Sequence, residues 1–235
     1  MSTSRLSRVL ICAILGWALL PLQALAQAKF DGLYLGGHLG YARGKDSGQE
    51  YDTGVRTTFT QRARPDGTTY GMFAGYNWVR PNNLLLGVEA DVGGGSQSDS
   101  TLQLDSGVPD PTYPTTTKIR AKASLLGRVG VLLNEQRSLA YITGGYSAAH
   151  IETTFRDVSV PASQTGTTWK GGWALGAGFE HGVTNDLSLR FAYRYADYGH
   201  RTVSTSVVFG AGLSERQSYT DQEVTLGLVY RFGTR

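Results

Sequence analysis

Apolar residues in this chain recur at every second position in eight stretches, near 32–42, 69–80, 83–94, 117–132, 138–151, 169–182, 187–198 and 221–232. A period of two is the signature of strands, because successive strand side chains point to opposite faces. Over 221–232, Val224, Leu226, Leu228, Tyr230 and Phe232 share one face, and Thr225, Gly227, Val229 and Arg231 the other. Leu187, Leu189, Phe191, Tyr193 and Tyr195 oppose Ser188, Arg190, Ala192 and Arg194 in the same way. Leu84, Leu86, Val88, Ala90 and Val92 oppose Leu85, Gly87, Glu89, Asp91 and Gly93, and Ile119, Ala121, Ala123 and Leu125 oppose Arg120, Lys122, Ser124 and Arg128. The fifth stretch has small and apolar residues on both faces, so its orientation stays open.

The connections alternate in length. Residues 80–83, 134–137 and 183–186 are tight, whereas 43–68, 95–116, 152–168 and 199–220 are long and polar. Strands of about ten residues with short turns at one end and long loops at the other predict an eight-stranded antiparallel up-and-down transmembrane β-barrel. An even count puts both chain ends on the periplasmic side, beside the short turns, with the long loops outside.

A soluble barrel would alternate too, so the direction of the oily face needs a separate argument. Arg5 and Arg8 precede the apolar run Val9–Leu20, and Ala24-Leu25-Ala26 follows it, which is the build of a cleaved export signal. Twelve apolar residues are too few for a spanning helix, which needs roughly 20. The expected organisation is therefore a signal peptide over 1–26 and one barrel domain over 27–235. Aromatic residues Tyr41, Tyr70, Trp78, Trp173, Tyr195, Tyr230 and Phe232 lie at the ends of the oily faces, where headgroup girdles belong. The oily faces are expected to touch lipid and the charged faces to enclose the lumen.

Composition removes other classes. The signal carries two of the 22 basic residues and none of the 19 acidic ones, leaving a formal charge of +1 and no nucleic-acid footprint. The one cysteine, Cys12, lies in the signal, so neither a disulfide framework nor a lipid anchor on the mature chain is expected.

By parity Glu89, Asp91, Glu180, Arg120, Lys122, Arg128, Arg190 and Arg194 point inward. Glu89 and Asp91 read either as an acid–base pair or as partners of these cations. Buried charge is costly unless paired, so a structural ion network plugging the lumen is expected, with Glu180 and Arg190 forming one pair across the 183–186 turn. If the lumen conducts instead, its predicted surplus of Arg and Lys makes a narrow, weakly anion-preferring channel. His38, His150, His181 and His200 offer no metal-ligand spacing, and the glycine runs lack the strand-to-helix setting of a phosphate loop. No cofactor, metal or catalytic residue is expected. Ser147 with His150, or a serine with His181, is the weakest reading, a lipid A-modifying enzyme. The loop Gly95–Thr116, with Pro109, Pro111 and Pro114, and the first loop, with Arg56, Arg62 and Arg64, are where ligand binding would reside.

The segments Phe30-Asp31-Gly32-Leu33-Tyr34-Leu35-Gly36-Gly37-His38-Leu39-Gly40-Tyr41, Gly87-Val88-Glu89-Ala90-Asp91-Val92, Arg190-Phe191-Ala192-Tyr193-Arg194-Tyr195 and Tyr230-Arg231-Phe232 resemble the small alphaproteobacterial outer-membrane β-barrel proteins of the 25-kDa and 31-kDa surface-antigen type. The likeness runs through the mature chain and rests on the order of short motifs. It implies residence in the outer membrane among lipid and lipopolysaccharide, and insertion by the outer-membrane assembly machinery. It also implies a role in envelope integrity or surface interaction, including binding of a host molecule or haem through the loops. Tyr230 and Phe232 are the residues that would serve as the C-terminal assembly signal, with Gly233-Thr234-Arg235 after them.

Overall fold

The structure, a computed structural model, describes residues 30–160, 162–204 and 211–232; the expected signal peptide lies outside the described residues. Among these residues ten antiparallel strands form one closed barrel: β1 (Gly32–Asp52), β2 (Val55–Ala63), β3 (Asp66–Val79), β4 (Leu84–Gly95), β5 (Ser98–Asp105), β6 (Val108–Leu133), β7 (Ser138–Asp157), β8 (Ala162–Gly182), β9 (Leu187–Ser204) and β10 (Leu213–Arg231). The expected count of eight is thus corrected to ten. The two additional strands come from the first two long loops, where Arg64-Pro65 interrupts the chain between β2 and β3 and Ser96-Gln97 between β4 and β5. Proline cannot donate to a ladder, which accounts for the first break. Below the breaks the wall closes by the β1–β3 and β4–β6 ladders; above them β2 and β5 stand in for β3 and β4 between β1 and β6.

The long polar segments are therefore strand rather than loop over most of their length, a second correction. β1 runs to Asp52 and β6 starts at Val108, so the wall continues well beyond the oily band. Thr53-Gly54 and Ser106-Gly107 close two of these outer hairpins with positive φ at both residues, the two-residue turn whose twist matches the flanking strands. At the other end the tight connections are a turn of 3-10 helix at Pro81–Asn83 and turns at 134–137 and 183–186.

The oily faces point outward. Leu39, Leu125, Ile142 and Leu226 are each more than 60% exposed, while Glu180, Arg128 and Arg231 are enclosed. The fifth predicted strand, β7, resolves the same way, with Ile142 and Tyr146 outside and Tyr141, Ser147, Ala149 and Ile151 inside. On β10 the outward run from Val224 to Phe232 spans about 27 Å along the strand, or about 21 Å of height at a tilt near 40°. That is close to the roughly 25 Å apolar band of such barrels. Tyr41, Tyr70, Tyr146, Trp173 and Tyr195 girdle its outer edge, with Trp173 and Tyr195 in ring contact at 5.5 Å. Trp78, Tyr230 and Phe232 girdle the inner edge, with Tyr230 and Phe232 at 5.2 Å.

Candidate functional site: an ion network across the lumen

Within the barrel, inward side chains fill three layers. The layer nearest the chain ends is apolar: Phe30, Leu85, Leu132, Leu139 and Tyr141 pack together. The layer toward the outer rim holds Ile119, Leu126, Ala149, Ile151, Tyr198 and Tyr219. Between them lies an ion network in which cations from one wall reach acids on another.

Its lower half centres on Glu180. Arg128 donates to one carboxylate oxygen, Arg190 donates to the same oxygen at 2.7 Å, and Arg231 approaches the other at 3.4 Å. Arg190 also donates to Glu89 at 2.7 Å, and the Tyr34 hydroxyl donates to that same Glu89 oxygen at 2.7 Å. The guanidinium faces are covered as well: Arg128 lies 3.6 Å from the Tyr141 ring centroid, Arg190 3.9 Å from Phe73 and Arg231 3.9 Å from Phe30. Such stacking suits arginine, whose flat, weakly hydrated cation loses less on burial than an ammonium does.

The upper half centres on Arg194 and Lys122. Arg194 donates to Asp91 and to Glu223, both at 2.9 Å. Lys122 donates to Asp221 at 2.5 Å and to Glu223 at 2.7 Å. His38 Nε2 meets Asp91 at 2.9 Å, and Gln97 donates to Asp221 at 2.9 Å. The cavity left beside His38, Asp91, Arg190 and Arg194 is about 40 Å³, room for a few waters.

Seven of the eight sequence-predicted site residues lie in this network: Glu89, Asp91, Lys122, Arg128, Glu180, Arg190 and Arg194. Arg120 does not. Its side chain is 51% exposed on the outer surface and pairs with Glu152 at 2.9 Å. The reason is a β-bulge: the β6–β7 register shifts between Ile119 and Ala121, so inside and outside exchange at that point. Ile119, expected on the oily face, is accordingly enclosed.

Sequence reasoning left out Asp221, Glu223 and Arg231, although all three share the parity of Thr225 and Val229 and could have been found by extending it. It also left out His38 and Tyr34. With these members the network among the described residues holds Lys122, Arg128, Arg190, Arg194 and Arg231 against Glu89, Asp91, Glu180, Asp221 and Glu223, five of each sign. The expected cationic surplus, and with it the basis for anion preference, is absent from the network.

The histidine–serine readings separate. Ser147 points inward to Tyr198 and Ser124, at 3.2 and 2.9 Å, while His150 stacks on Trp169 with centroids 5.1 Å apart. His181 does meet a serine, Ser138, at 3.0 Å, but Ser138 is fully enclosed and its hydroxyl faces no lipid. Among the described residues no group of three or more metal-ligating side chains converges.

A closed antiparallel wall, apolar outside and ionic inside, with aromatic girdles at two levels, defines an outer-membrane β-barrel protein. The chain belongs to the outer membrane protein beta-barrel domain family, whose sequence model matches residues 12–232. It is 29% identical over 211 residues to the 31 kDa outer-membrane immunogenic protein of Brucella melitensis, covering 87% of this chain and 84% of that one. It is 30% identical over 209 residues to a 22 kDa outer membrane protein of Rhizobium leguminosarum, covering 87% and 79%. It is 26% identical over 214 residues to the 25 kDa outer-membrane immunogenic protein of Brucella abortus, covering 90% and 84%. Among solved structures, the outer membrane protein OprG from Pseudomonas aeruginosa superposes with a TM-score of 0.56 at 13% identity, covering 88% of this chain and 99% of that one, a likeness of fold. The protein resides in the Gram-negative outer membrane.

Proposed function

We propose that the protein is a non-catalytic structural barrel of the outer membrane, plugged by its own side chains, that contributes to envelope integrity and presents its outer hairpins for surface interaction. The observation that carries this reading is the span of the ion network: Arg190, Arg194 and Lys122 each tie opposite walls together. At the level of the network, where β2 and β5 take no part, eight of the ten strands enclose an interior that side chains can fill, and the network's cations and anions match in number among the described residues. Relatives named for their immunogenicity support exposure of the outer hairpins at the cell surface. Residues 1–26 act as the export signal, and the mature chain begins at Gln27. Tyr230 and Phe232, both outward at the inner girdle, are where the assembly machinery reads the chain.

Conductance of the purified, refolded protein in planar bilayers tests the plug. The expected record shows no steady open level. A stable open conductance in the wild-type protein would overturn the proposal and leave a channel in its place.

A further inference from the structure

Charge is sorted by face in the part of the wall beyond the outer girdle. Inward positions there carry the acids Asp46, Glu50 and Glu215 beside the single lysine Lys170 among the described residues, whereas the outward face of β1 and its neighbours carries mostly cations. On β1 the outward series Leu39 and Tyr41 continues as Arg43 and Lys45. Arg62 of β2 pairs with Ser47 on one side of β1, and Arg216 of β10 pairs with Gln49 on the other. All four side chains are exposed.

Heights follow from the ladder. At about 3.4 Å per residue along strands tilted near 40°, Arg43 stands about 5 Å above Tyr41, Lys45 about 10 Å, Arg62 about 16 Å and Arg216 about 21 Å. Arg43 and Lys45 thus stand directly above the aromatic belt at the level of the lipid headgroups, and Arg62 and Arg216 continue the series beyond that layer. Among the described residues two acids share this face: Asp66, opposite Arg43 in the β1–β3 ladder, accepts from the Tyr41 hydroxyl, and Asp197 accepts from the backbone of Gly199. Arg43, Lys45, Arg62 and Arg216 take part in no ion pair among the described residues, in contrast to Arg120, which Glu152 neutralises. Four outward cations in one arc, rising from the headgroup layer and outnumbering the two acids on that face, call for a multivalent anion that arrives from the side.

We propose that Arg43, Lys45, Arg62 and Arg216 form a binding face for the phosphates of an outer-leaflet glycolipid, holding one such lipid against β1. The inference rests on the membrane orientation argued above and specifies which sector of the wall grips lipid by charge. The radial direction of the side chains favours a membrane component over a soluble polyanion, which would meet the hairpin tips first. Each cation near an anionic headgroup is worth about fivefold in affinity.

The test is titration of the folded, detergent-solubilised protein with diphosphorylated lipid A, followed by native mass spectrometry. Parallel arms use dephosphorylated lipid A and a soluble sulfated oligosaccharide. The expected result is preferential retention of the phosphorylated lipid, with a loss of about a hundredfold or more in the R43S/K45S/R62S/R216S variant and little change in Arg120→Ser. A heat-modifiable gel shift verifies that the variant is folded, and single substitutions replace it should it fail to fold. Equal retention of both lipids, an unaffected variant, or cation-dependent binding of the sulfated oligosaccharide alone would overturn the proposal. None of these outcomes bears on whether the lumen is plugged, which the conductance record tests separately.

Discussion

Arg190 and Glu89 lie 101 residues apart in the chain, on opposite walls of the barrel, and meet at 2.7 Å across its lumen. β9 and β4 are four staves apart in either direction around the ring that closes through β1 and β3. Arg194 with Asp91 and Lys122 with Asp221 repeat the geometry. Each such pair ties two walls that share no ladder, so the network acts as crossbeams. Substitution inside it should therefore be felt by the whole barrel.

Glu180→Gln leaves Arg128, Arg190 and Arg231 around a neutral amide. Removing one partner from a buried ion network costs about 3–5 kcal/mol, because the remaining charges stay buried. The variant should unfold at clearly lower urea concentration in lipid vesicles, followed by the gel shift between folded and unfolded forms. An unchanged midpoint would show that the carboxylate does not hold the cluster.

Arg120 and Lys122 are two residues apart and separate two readings of β6. Lys122→Gln removes the cation shared by Asp221 and Glu223 and should destabilise the barrel strongly. Arg120→Gln breaks a solvent-exposed pair and should leave the unfolding midpoint unaltered. Equal effects would contradict the bulge that places them on opposite sides of the wall.

This pair also marks how far the sequence reaches. Period-2 alternation sends Glu89, Asp91, Lys122, Arg128, Glu180, Arg190 and Arg194 into the lumen, which is where they lie, because parity survives as long as a strand is regular. A bulge adds one residue and reverses parity, and nothing local to Lys118-Ile119-Arg120-Ala121 announces it. Cross-lumen partners such as Arg190 and Glu89 depend on stagger around the whole ring, which no single strand encodes. The outer extensions were hidden for another reason. Their inward positions are polar, with Asp46, Gln61, Gln103, Thr117 and Thr153 enclosed, so no hydrophobic alternation distinguishes them from loop. Thr53-Gly54 and Ser106-Gly107, with positive φ at both residues, are the local turn signals within them.

The outer extension supplies a pH test. Glu50 is enclosed there opposite Glu215 in the β1–β10 ladder, and burial raises its pKa above the usual 4.5. The folded state therefore holds this proton more tightly than the unfolded chain. Its contribution is most favourable below the unfolded pKa and is lost as pH rises through the folded value. Glu50→Gln should be more stable than wild type at pH 7, and the advantage should vanish as pH falls below about 4.5. A pH-independent difference in unfolding midpoint would contradict this assignment.

On the outer face, Leu226→Arg puts a charge into the lipid band beside Leu39. At mid-bilayer that costs about 2–4 kcal/mol, so the variant should assemble poorly or unfold early. Arginine at Arg216, ten residues along the same face and above the girdle, is native, and the contrast between the two positions maps the edge of the band.

The account stands on which side of the wall meets lipid, and fluorescence quenching reads that directly. Leu226→Trp in a W78F/W169F/W173F background gives one tryptophan in the mature chain. Lipids brominated at mid-chain should quench it strongly, while aqueous acrylamide should not. Emission untouched by brominated lipid and quenched by acrylamide would show that Leu226 does not face the bilayer, and would contradict the account.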